Sequence, residues 1–171
     1  PTYKVVADLK MLDTYAGPAG ARAAVVPLDG PVVPVDYGFV NLNYDKAWFA
    51  KSAVPLPRTL EELALPIYRD LLVVQNPATS SPGYAFLLAT IAGLGEPAAF
   101  DWWGRMRANG VKVAKGWSEA YYTEFSRNGG ARPLVVSYAS SPAAEVFYSK
   151  EKLTASPTAS LFLKGGVLRQ V

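Results

Sequence analysis

The chain has 171 residues, enough for one folded domain; half are apolar and only 18% charged, which excludes a disordered chain. Its 17 basic and 14 acidic side chains leave a net charge of +3, scattered rather than gathered into the stripe that nucleic-acid binders carry. Cys and His are both absent, so disulfides, iron–sulfur clusters, thiolate nucleophiles, imidazole bases and ordinary transition-metal sites are excluded.

Thr2 to Ala7 reads as a strand and Leu9 to Tyr15 as a short helix, followed by loops at Gly17-Pro18-Ala19-Gly20 and Asp29-Gly30-Pro31. Val32 to Tyr44 is rich in β-branched and aromatic residues and predicts a strand. Pro34 and Gly38 within it argue for an edge, a bulge or a hinge rather than a central strand. A repeating grammar follows. Thr59-Leu60-Glu61-Glu62 spells a capping box that opens a helix through about Leu63. Leu71 to Gln75 is a short apolar strand, and Tyr84 to Leu94 a helix closed by Gly95. Pro97 to Ala108 is a second helix, with Phe100, Trp103 and Met106 at helical spacing and with Trp102 and Trp103 read as packing. Val111 to Ala114 reads as a strand, Glu119 to Phe125 as a helix, Pro133 to Tyr138 as a strand and Ala143 to Tyr148 as a helix. Strands alternating with helices predict an α/β sandwich with a largely parallel or mixed sheet. The longest apolar run, Tyr84 to Leu94, is about half the length of a bilayer span. No signal peptide is visible, and a chain running from Pro1 to a strand-like stretch at Val171 reads as a segment of something longer.

Three times a short apolar strand runs into a loop holding Ser or Thr just before a helix. The loops are Thr79-Ser80-Ser81-Pro82-Gly83, Gly116-Trp117-Ser118-Glu119 and Ser140-Ser141-Pro142. In an open α/β sheet, ligands bind outside the carboxyl ends of the strands, where such loops gather. Each offers hydroxyls and unpaired backbone N–H groups at a helix N-terminus, which suits an anion or a polar ligand. Trp117 sits in a turn, where a core tryptophan is unusual, and Tyr138 ends its strand. Together the two rings predict a slot that sandwiches a flat or cationic ligand.

Asn76-Pro77-Ala78-Thr79-Ser80-Ser81-Pro82-Gly83, Lys115-Gly116-Trp117-Ser118-Glu119-Ala120-Tyr121 and Val136-Ser137-Tyr138-Ala139-Ser140-Ser141-Pro142-Ala143 resemble, in order and spacing, the thiamine-binding periplasmic proteins of ABC transporters. Val35-Asp36-Tyr37-Gly38-Phe39 is similar to that family's crossover strand, and the resemblance covers roughly residues 32–148. It implies a periplasmic-binding-protein-like three-layer sandwich with a mixed sheet, mainly one lobe plus the crossover hinge of a two-lobed protein that closes over its ligand. Residues 1–45 would be the end of the first lobe and the crossover strand, and residues 46–171 the second lobe without its C-terminal part. The implied ligand is thiamine, a thiamine phosphate or a similar aromatic cation. Ser80, Ser81, Trp117, Tyr121, Tyr138 and Ser140 would bind it, Ser80 at its polar or phosphate end and Trp117 and Tyr138 as aromatic walls. The family's second tyrosine falls on Ala144 here, with Tyr148 one helical turn further on. The resemblance also implies an exported, monomeric carrier, periplasmic or anchored at the cell surface, that performs no chemistry and needs no cofactor, metal or nucleic acid. Its partner would be an ABC permease in the membrane.

Two rival readings stand beside this one. A related branch binds ferric iron through two adjacent tyrosines, and Tyr121-Tyr122 fits that spelling, although neighbours on a helix point about 100° apart. A Ser-dependent enzyme is spelled by Ser149-Lys150-Glu151-Lys152 and, later, Lys164-Gly165-Gly166. That spelling lacks the S-D-N element between the two motifs and reads as chance.

Overall fold

The computed structural model describes residues 38–170; the strand expected at Thr2 to Ala7, the helix at Leu9 to Tyr15 and the loops up to Pro31 lie outside them. The described chain opens with β1 (Gly38–Asp45), α1 (Lys46–Lys51), α2 (Leu60–Leu63) and β2 (Leu72–Gln75). It continues with α3 (Ser81–Leu94), α4 (Glu96–Ala108) and β3 (Lys112–Ala114), and then the single turn α5 (Trp117–Glu119). After α5 come a π-helical turn (Ala120–Glu124), β4 (Leu134–Tyr138), α6 (Ser141–Phe147), β5 (Thr158–Leu161) and β6 (Leu168–Gln170).

One sheet holds all six described strands in the order β3-β2-β4-β1-β5, with β6 also on β1. β3, β2 and β4 run parallel, whereas β1 is antiparallel to β4, β5 and β6. The sheet is therefore mixed, as expected. β1 lies inside it and not at an edge. The breaker that argued for an edge, Pro34, precedes the described strand, and Gly38 is its first residue.

Alternation along the strands sorts side chains onto two faces. Leu72, Val74, Leu134, Val136, Val40 and Leu42 share a core with Phe86 of α3 and Trp102 and Met106 of α4. Val73 and Val135 face the other way and pack on Ala114, Ala120, Tyr121 and Phe125. Helical segments on both faces make the three layers.

Local signals explain most element ends. Thr59 Oγ1 accepts the Glu62 N–H at 3.0 Å, as an N-cap should, while the Glu62 carboxylate reaches back to the Arg58 N–H at 2.8 Å. Gly95 ends α3 with φ +82°, a conformation that favours glycine. α3 begins at Ser81, three residues before its expected start, because Pro82 is well suited to a first helical turn. In α4 the buried stripe is Ala99, Trp102 and Met106. Phe100, expected on that stripe, is exposed, because Trp102 takes the core position and its indole N–H donates to the Leu60 carbonyl at 2.6 Å. The helix expected over Glu119 to Phe125 is instead α5 and the π turn, marked by the Phe125 N–H donating to the Ala120 carbonyl at 3.0 Å.

Candidate functional site

Because β3, β2 and β4 are parallel neighbours, Ala114, Gln75 and Tyr138 end at the same edge of the sheet. The three Ser/Thr-bearing loops meet there. The Asn76 N–H donates to the Ala114 carbonyl at 2.9 Å, and Thr79 Oγ1 donates to the Lys115 carbonyl at 2.6 Å. The Lys115 N–H is taken by Glu119 Oε2 at 2.9 Å, which closes the turn carrying Trp117. Ser80 and Ser140 stand at the N-cap positions of α3 and α6, yet neither hydroxyl makes the usual capping bond. Ser81 is exposed in the first turn of α3. The expected serines thus present hydroxyls that the helices do not use.

Trp117 is held in two ways. Its indole N–H donates to Ser137 Oγ at 2.8 Å, and Ser137 shares a 2.8 Å hydrogen bond with Ser141. Its ring stacks on Tyr121 with centroids 4.8 Å apart and planes inclined by 19°, and Tyr122 meets it edge-on. Tyr121 is buried, and its hydroxyl donates to Glu145 Oε1. Burial first, and then the Glu145 carboxylate, push the Tyr121 phenol far above its ordinary range. Glu145 also receives Thr158 Oγ1 and Arg127 Nε, each at 3.2 Å.

A cavity of about 480 Å³ opens beside this cluster, within the size range of small-molecule sites. Trp117, Tyr121, Tyr122, Arg127, Ser141, Ala144, Glu145 and Tyr148 are among its lining residues. Ala144 and Tyr148 both face it, so the position where the resembled family has its second tyrosine is open space here, with Tyr148 nearby.

Of the residues expected at the site, Trp117 and Tyr121 line the cavity together, whereas Ser80, Ser81, Tyr138 and Ser140 do not. Tyr138 ends β4 on the other face, half-buried against the larger core, and burial pushes its phenol up. The two rings expected to form one slot therefore stand on opposite faces of the sheet edge. An iron site needs both phenol oxygens of Tyr121 and Tyr122. The first is buried on Glu145, the second side chain is exposed, and the rings meet at 80°. Sequence reasoning missed Ser137, Glu145 and Arg127. A serine inside the apolar strand Leu134–Tyr138 and a lone charge in α6 were the available signals.

The family of bacterial extracellular solute-binding proteins matches residues 9–165 of this sequence. The chain belongs to that family. Among curated members, the thiamine-binding periplasmic protein of Salmonella typhimurium is 37% identical over 121 residues, covering 70% of this chain and 34% of that protein. The thiamine-binding periplasmic protein of Escherichia coli is 36% identical over 119 residues, with 70% and 34% covered. This solute-binding chain thus spans about a third of the length of the curated relatives it matches. A solved periplasmic thiamin binding protein superposes with a TM-score of 0.64 at 31% identity, covering 87% of this chain and 45% of that one. The mixed three-layer sheet described above is accordingly a solute-binding-protein fold.

Proposed function

We propose that the chain is the greater part of one lobe of an ABC-transporter solute-binding protein that captures thiamine, a thiamine phosphate or a similar aromatic cation. The ligand is delivered unchanged to a membrane permease; no bond is made or broken. The protein is exported, periplasmic or surface-anchored, and acts as a monomer without cofactor or nucleic acid. Residues 1–45 end the first lobe and form the crossover, and residues 46–171 belong to the second lobe.

One observation carries this reading: Trp117, held by Ser137 and stacked on Tyr121, lines the cavity beside the carboxyl ends of the parallel strands. A fixed indole attracts a flat cation by stacking and by the ring's negative face. Ser80, Ser81 and Ser140 serve the ligand's polar or phosphate end with hydroxyls that cap no helix. Tyr138 adds an aromatic contact from the opposite side of the edge, and Tyr121 acts as the backing ring. The names of the relatives point to the same ligand class.

Calorimetric titration of the full-length protein with thiamine tests the assignment. Trp117→Ala is expected to raise Kd by roughly 30-fold, about 2 kcal/mol, through loss of stacking. Absence of both heat and tryptophan quenching on adding thiamine and its phosphates sinks the ligand class.

A further inference from the structure

We propose that Glu145 is a positioning residue for the binding ring: through the Tyr121 hydroxyl it fixes the surface on which Trp117 stacks, before any ligand arrives. The proposal rests on the reading of Trp117 given above. Glu145 is the only charged residue of α6, and its side chain is just 15% exposed. A carboxylate is costly to withdraw from water unless its oxygens are occupied. Here both are: Oε1 receives the Tyr121 hydroxyl and Thr158 Oγ1, and Oε2 receives Arg127 Nε. These partners come from the π turn, the segment after it and β5, so the carboxylate ties three separate stretches together.

Tyr121 is consequently held at several points. Its hydroxyl is on Glu145, its carbonyl accepts Asn128 Nδ2 at 2.9 Å, and its ring lies 5.3 Å from Phe125. Trp117 has two restraints, one on its N–H edge from Ser137 and one on its face from Tyr121. Both lead to α6. Ser141 supports Ser137, and Glu145 supports Tyr121. Those two residues are four apart, so they share one face of the helix. A single short helix therefore sets the edge and the face of the indole. An ion pair with one partner as exposed as Arg127 is a weak source of stability, and an apolar side chain would fill the same volume as the carboxylate. Its placement on the cavity wall, under the stacked pair, favours a role in presetting the site. A preset ring loses less freedom on binding, which tightens the complex.

The test uses the full-length protein with thiamine as probe, and Glu145→Ala, Tyr121→Phe, their double variant and Glu145→Gln. Glu145→Ala and Tyr121→Phe should each raise Kd by about 5- to 10-fold, and the double variant by no more than either alone. Glu145→Gln keeps an acceptor for the phenol and should stay within about twofold of the parent. In the unliganded protein, acrylamide quenching of Trp117, isolated by subtracting a Trp117→Phe background, should increase in Glu145→Ala and Tyr121→Phe. A lower melting temperature with unchanged Trp117 quenching overturns the proposal, as do losses in the two variants that multiply. If Glu145→Ala does not fold, Tyr121→Phe and Glu145→Gln carry the same two readouts. A parent protein that fails to bind thiamine removes the functional reading; the quenching of unliganded Trp117 still decides the role of Glu145.

Discussion

Tyr121 and Tyr138 flank the carboxyl ends of the strands on opposite faces of the sheet, and both phenols lie above their ordinary range. Burial raises Tyr138, and burial with the Glu145 carboxylate raises Tyr121; burial also raises Tyr68 beneath the large core. A phenol whose native pKa exceeds its unfolded value, about 10, favours the folded state fully below that value. The contribution is lost as pH climbs through the native pKa values. Two outcomes follow. In a spectrophotometric titration Tyr68, Tyr121 and Tyr138 should ionise late, lagging until the fold opens. Stability should hold up to about pH 10 and decline above it, less steeply in Tyr121→Phe. Ionisation of these three near pH 10, with the fold intact, would contradict the burial assigned to them.

At the scale of elements, the chemistry of the ends was legible and the tertiary supports were not. Thr59 and Gly95 each announce a helix boundary through their own side chain or backbone, and the structure uses both. The start of α1 has Asp45 as its cap, but the same residue ends β1, so the strand pattern runs straight into the helix with no intervening loop. β5 is the small-residue run Thr-Ala-Ser-Leu, whose strand character comes from pairing with β1 over a hundred residues away in sequence. The π turn depends on a hydrogen bond reaching five residues back, for which local propensity gives no signal. At the site, Trp117 stood out because turns seldom hold tryptophan. Glu145 did not, because its partners lie 13 to 24 residues distant and only the fold assembles them.

Gly83 tests how α3 reaches the site. It lies in the first helical turn against the end of β2, where an added Cβ would stand 2.4 Å from the Gln75 carbonyl oxygen. That distance is well inside van der Waals contact, and the obstacle is backbone, which yields little. Gly83→Ala is expected to destabilise by about 1–3 kcal/mol, and by pushing α3 outward to displace Ser80 and Ser81 and weaken thiamine binding. Chemical denaturation and calorimetry measure the two effects. An alanine variant with unchanged stability would show that the first turn of α3 is free to shift.

At the scale of the whole molecule, β1 has the most distant partners among the described strands. Its Leu42 has no exposed surface and stands opposite Val136 of β4 on one side and Leu161 of β5 on the other. Asn43 donates to the Tyr138 carbonyl across 95 residues of sequence, and the Ala139 N–H donates to the Phe39 carbonyl at 2.8 Å, so β1 also braces the loop before α6. By contrast, β2 pairs with β3 and β4 at shorter separations, with α3 and α4 folding locally between β2 and β3. Bringing distant strands together carries the larger loop-closure cost, so the parallel half of the sheet should assemble first and β1 join it later. Leu42→Ala is then expected to cost about 2–5 kcal/mol, appearing mainly as faster unfolding. Val74→Ala in β2, buried in the same core, should instead slow folding. Chevron kinetics on the two variants separate these limbs. Equal slowing of folding by both would mean that β1 already belongs to the nucleus and that the sheet, with the loop it braces beside Trp117, forms in one step.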